Sequence, residues 1–159
     1  MRLDYPEATY VTYNKTYYPY SFSINKDAVL TKPKNAQPYW VNINYPKLKG
    51  ELHITYMPVT DNLNKLLKEA QDITQSHTIK ADGIKQVLYD NDKQKAYGTV
   101  YEVEGNAASP LQFYITDSTQ HFLSGSVYFR AKPNYDSILP AAHYIKKDVQ
   151  KLIETLHWK

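Results

Sequence analysis

Cysteine is absent from this chain of 159 residues. Disulfides, thiolate metal sites and cysteine nucleophiles are thereby excluded together, although the cellular compartment is not fixed by that absence. Glycine is scarce, with five in all, and none of them forms a G-x-G-x-x-G turn or a phosphate loop. Arg2 and Arg130 are the only arginines, and the lysines are scattered around a net charge of +3. The guanidinium forks that read phosphate and guanine are therefore nearly missing, and no nucleic-acid partner is expected. No apolar run approaches the ~20 residues that cross a bilayer, and the opening "MRLDYPEATY" does not have the pattern of a signal peptide.

What the chain does have is tyrosine, sixteen of them, alongside nine prolines. Tyrosine suits half-buried sheet positions, where the ring packs and the hydroxyl reaches water. The length fits one domain with a proper core. Residues 1–18, with Tyr5, Tyr10, Tyr13, Tyr17 and Tyr18 but little helical period, read as an extended arm. Residues 19–159 read as a single α+β domain.

Strict alternation marks the strands. Tyr20, Phe22 and Ile24 share one side of "YPYSFSI", and "DAVLT" reads as a short return strand. "YWVNINY" and "ELHITYM" are expected to pair as a hairpin, with Leu52, Ile54 and Tyr56 inward and His53 outward. "IKQVLYD", "AYGTVYEVEG", "LQFYITD" and "HFLSGSVYFRA" supply four more strands. Gly125 in the last of them suggests a bulge or the close approach of another backbone. The period changes twice. From Thr60 or Asp61 as cap, Leu63, Leu66, Leu67, Ala70 and Ile73 follow at helical spacing, and His77 extends that stripe as a packed residue. From Asp136 or Ser137, the positions Ile138, Ala142, Ile145, Val149, Leu152 and Leu156 line one face of a helix of about 20 residues. The order predicts a largely antiparallel β-sheet flanked by two amphipathic helices.

Chemistry is harder to find. Asp117, Ser118 and His121 are the residue types of a nucleophilic hydrolase, but they fall between two alternating strands where "DSTQ" makes a natural hairpin turn. Catalytic triads draw their members from distant segments, so the turn is the expectation. The histidines at 53, 77, 121, 143 and 157 never stand at the spacing of a helical zinc pair. "DNDKQKAYGTVYE" has Lys95 where a calcium loop needs glycine and Tyr101 where it needs a bidentate glutamate. Glu102 and Glu104 share a strand face that reads as a solvated edge. Asn14-Lys15-Thr16 fits a glycosylation sequon, a weak signal in so short a motif. "GNAAS", from 105 to 109, reads as a compact turn whose small residues also suit a close contact. No catalytic residue, cofactor or metal is expected.

Eight blocks in order resemble one family, the gliding-motility lipoprotein GldD of Bacteroidetes: "RLDYPEATY", "PYSFSI", "WVNINYPKLKGELHITY", "NLNKLL", "HTIKADGI", "YGTVYEVEGNAASPLQFYITDSTQHFLSGSVYF", "PNYDSILP" and "ETLHWK". The resemblance implies a cell-envelope protein, periplasm-facing and lipid-anchored, that serves gliding and type IX secretion through protein contacts and without catalysis. No lipobox occurs in this sequence, so the resemblance implies an anchoring cysteine ahead of Met1, with a soluble variant lacking membrane attachment as the alternative. On element order, the architecture is similar to the PsbP/Mog1-like arrangement. The expected interaction surface comprises Asn106, Ser109, Asp117, Ser118, His121, Tyr13 and Tyr17. The alternative is a small-ligand or glycan-binding module using exposed tyrosines and Trp40.

Overall fold

The computed structural model describes residues 9–32, 39–76, 81–105, 111–129 and 135–159. Alternating segments form strands β1 (Tyr10–Tyr13), β2 (Tyr20–Asn25), β3 (Val29–Thr31), β4 (Val41–Tyr45) and β5 (Gly50–Pro58). Helix α1 (Leu63–Ser76) is followed by β6 (Ala81–Asn91), β7 (Ala96–Gly105), β8 (Leu111–Thr116) and β9 (His121–Phe129). Helix α2 (Tyr135–Thr155) leads into the short strand β10 (His157–Trp158).

The strands make two sheets, not one. Seven strands run in the order β3-β4-β5-β9-β8-β7-β6, and β1-β2-β10 form a separate three-stranded sheet. Every neighbour is antiparallel. "DAVLT" is accordingly not the return strand of "YPYSFSI": Leu30 faces Ile43 on β4, while β2 pairs with β1 and β10. The reason is burial. Tyr20 and Phe22 are 0% and 1% exposed, and β2 lies against α2 instead of extending the large sheet.

Register assigns the two faces of the large sheet. Leu52, Ile54 and Tyr56 on β5 stand opposite Val127, Gly125 and Leu123 on β9, and these in turn meet Leu111, Phe113 and Ile115 on β8. All but the glycine belong to one buried cluster with Ile145, Val149, Leu152 and Leu156. Fully burying each such aliphatic contributes ~1.5–3 kcal/mol before ordering entropy is subtracted. Helix α2 covers this face together with β2. Helix α1 lies on the other face, where Leu66 is buried and Leu63 and Leu67 are half-buried.

Four local expectations change. The cap of α1 is neither Thr60 nor Asp61 but Asn62, whose carbonyl accepts the Leu66 N–H at 3.0 Å. Helix α2 begins at Tyr135, so Asp136 and Ser137 occupy its first turn. Gly125 marks no bulge, since β9 runs in unbroken register; a Cβ there would lie 2.3 Å from the Phe113 ring. Glu102 is no solvated edge residue either. Strand β7 is internal to the sheet, and Glu102 is half-buried in an ion pair with Lys146 of α2. His77 lies outside the described residues.

Candidate functional site

The β8–β9 turn is built by one carboxylate. Asp117 Oδ1 accepts the backbone N–H groups of Thr119, Gln120 and His121 at 3.0, 2.8 and 2.8 Å. Partial burial opposes ionisation, but those three donors prevail and hold the carboxyl below its ordinary value. Ser118 adopts a left-handed φ of 70° and is exposed, its N–H donating to Thr116 Oγ1 at 2.9 Å.

His121 points away from that serine into an aromatic wall. Its Nδ1 is 2.7 Å from Tyr56 Oη, and its ring stacks on Trp158 at 4.9 Å with an interplanar angle of 1°. Burial pushes the imidazole below its ordinary value, against the pull of Asp117 and the Lys159 backbone. Its Nδ1 is thus engaged by the Tyr56 hydroxyl, and its ring face is covered by Trp158. Asp117, Ser118 and His121 therefore form a capped turn and not a nucleophilic relay.

The wall continues from Tyr56 to Tyr39 (5.8 Å), Tyr18 (5.2 Å) and Tyr13 (6.0 Å), all edge-to-face. Edge-to-face pairs of this kind contribute ~0.5–1.5 kcal/mol each beyond area burial. Tyr39 carries a left-handed φ of 70°, and its carbonyl accepts the buried Tyr20 hydroxyl. For a bulky residue that backbone state is strained and must be imposed by its surroundings.

Residues 158 and 159 close this end of the molecule. Trp158 Nε1 donates to Lys95 O at 2.9 Å, and the Lys159 N–H donates to Pro19 O at 2.8 Å. Lys159 Nζ donates to Lys15 O, within the turn that leaves Tyr17 87% exposed. Of the residues expected at an interaction surface, the fold thus joins Asp117, Ser118 and His121 to Tyr13 through three intervening tyrosines. Tyr17 stands free on the neighbouring turn. Asn106 and Ser109 lie outside the described residues.

Several contributors carried no sequence signal. Tyr56 was legible only as an inward residue, and Trp158 and Lys159 only as a terminal tail. Trp40 is half-buried with its Nε1 donating to Tyr56 O at 3.0 Å, so it is packed instead of offering an open platform. A second polar cluster was also missed. Asp148 on α2 is buried and accepts from Tyr10 Oη at 2.8 Å and Asn25 Nδ2 at 3.2 Å. Burial raises its carboxyl above the ordinary value, and hydrogen bonds with Tyr10, Tyr45 and Asn25 pull it part of the way back. Among the described residues no three metal-ligating side chains converge, and no described helix is long and apolar enough to cross a membrane.

A helix-covered antiparallel sheet with this strand order is a PsbP-like α+β fold. The chain is similar to the solution structure of cyanobacterial PsbP (CyanoP) from Synechocystis sp. PCC 6803, with a TM-score of 0.59 and 12% identity. That match covers 97% of this chain and 95% of the other, and at such identity it shows the fold alone. The family model of the gliding motility lipoprotein GldD matches residues 1–158, and the chain belongs to that family. No curated protein matches it.

Proposed function

We propose that this chain is a non-enzymatic accessory or scaffold of the cell envelope, acting through protein–protein contacts in the gliding-motility and type IX secretion machinery. Membership of the GldD family supports the motility assignment and a lipid anchor, and the periplasm-facing placement is part of the proposal. The observation that carries the contact role is the saturated state of the aromatic end. His121 Nδ1 is engaged by Tyr56, its ring is stacked on Trp158, and Asp117 has three backbone N–H groups on it, so the site holds shape and not a poised base. Exposed Tyr17 and Ser118 sit on that stiff backing, an arrangement that suits recognition with little ordering entropy. Sequence context alone assigns Asn106 and Ser109 to the same surface, but the flanking Gly105 and Leu111 stand at the end of β7 and the start of β8, the far end of those strands from Thr116 and the 117–120 turn. Photo-crosslinkers placed at Tyr17 and Ser118 in native envelopes should capture a defined envelope protein that a probe at Lys68 on α1 does not. Equal labelling at all three positions, or none, overturns the proposal.

A glycan- or small-ligand-binding role is the second reading, favoured by an open groove of about 510 Å³ that Leu63, Leu67, Leu88, Tyr97 and Tyr114 help to line. Ligand-observed NMR against envelope saccharides tests it, and chemical-shift changes confined to that groove would select it over the scaffold role.

A further inference from the structure

We infer that strand β6 is a self-association edge, on which a second copy of this chain adds its own β6 antiparallel in a register centred on Gln86. The inference goes beyond the envelope role proposed above and does not depend on it. Strand β6 is the longest strand among the described residues, at 11 residues, and it stands at the outer edge of the seven-stranded sheet. The opposite edge is blunted to the three residues of β3. A long edge presents a row of main-chain N–H and C=O groups ready to template another strand, and soluble proteins ordinarily shorten, charge or cover such edges. On β6 the only irregularity is a register shift between Ala81 and Gly83, at one end.

The side chains say which strand fits. Ile84 and Leu88 are 41% and 77% exposed, and register places both on the face that carries α1. They are four residues apart, so a two-fold axis normal to the sheet at Gln86 sets Ile84 opposite Leu88 of the second copy, twice over. The same register sets Lys85 against Val87 and Tyr89 against Gly83, the latter pairing an aromatic ring with a glycine across the strands. Neighbouring registers fit worse. Centring on Lys85 opposes two lysines directly, which is repulsive, and centring on Val87 sets Ile84 against Asp90. Only the Gln86 register joins the two exposed apolar residues to each other. Leu88 also rims the groove beside Leu63 and Leu67, so the paired apolar surface is continuous with that of α1. The interface is isologous, as closed two-fold dimers require.

Because the chain has no cysteine, single-cysteine variants test the register directly. Gln86→Cys places the two thiols opposite each other across the axis, within disulfide reach for a strand pair. Under mild oxidation it should crosslink about tenfold or more faster than Lys65→Cys on α1, as expected for a high effective concentration. Sedimentation equilibrium of the unmodified protein should show a mass rising from one chain towards two, and Leu88→Glu should abolish that rise while circular dichroism stays unchanged. A monomer at every concentration overturns the inference. A dimer that crosslinks no faster at Gln86 than at Lys65 overturns it as well, as does a dimer that Leu88→Glu leaves intact.

Discussion

Tyr10 on the first strand and Asp148 on the last helix, 138 positions apart, are joined by a 2.8 Å hydrogen bond. It fastens the front of the chain to α2 and supplies one of the donors that make a buried carboxylate tolerable. Tyr10→Phe should cost about 1.5–3 kcal/mol at neutral pH, the range for a hydrogen bond to a charged group. The carboxyl is raised in the fold, so its contribution to stability is full below the unfolded value of 3.8 and is lost as pH rises through the higher folded value. Removing the phenol raises it further. Urea unfolding should therefore show a larger penalty for Tyr10→Phe near about pH 7 than near about pH 4; equal penalties would refute the coupling.

His121 predicts the opposite slope. Its imidazole is depressed in the fold, so stability is complete above the ordinary value of 6.5 and declines as pH falls from there towards the folded value. His121→Gln should flatten that decline, read as the change in urea midpoint across the window. An unchanged slope would mean that the ring titrates as it does in the unfolded chain.

Gly125 is held to glycine by a ring. A methyl group there would meet Phe113 at 2.3 Å, so Gly125→Ala should destabilise by about 1–3 kcal/mol through overpacking. In the Phe113→Leu background the same change should cost clearly less, because the two positions share one space. Additive losses in the double-mutant cycle would place the strain elsewhere.

Val149 is fully buried in the middle of α2. Val149→Asp inserts an unpaired carboxylate among aliphatic side chains, a mechanism that exceeds the stability of most domains of this size. Loss of a cooperative thermal transition is expected, and a variant keeping its wild-type midpoint would show that α2 is not the centre of the core.

Much of the architecture was legible in the sequence because period is local. Alternation placed Leu52, Ile54 and Tyr56 inward and His53 outward, where His53 now meets Glu51 at 3.2 Å. The helical stripe of α2 was legible for the same reason. Partner choice was not, because a strand's period names its faces and never its neighbours. Chain order alone pairs "DAVLT" with β2 where the fold pairs it with β4, and alternation carries no sign of the split into two sheets. Glu102 failed similarly, since a charged residue on an inner strand is explained only by the lysine that a distant helix brings to it.

The candidate site divides along the same line. Asp-Ser-Thr-Gln chemistry made the turn at 117–120 readable, because an aspartate satisfies nearby backbone donors wherever it stands. What surrounds that turn was decided by the fold alone. Tyr56, Trp158 and the Lys159 backbone converge on His121 from segments 37 to 65 residues away. By itself the sequence determined the faces, the helices and the bends, all of which follow from contacts within a few residues. Tertiary packing determined which polar groups are neutralised and which aromatic rings touch, because burial and long-range hydrogen bonding exist only once distant segments have met.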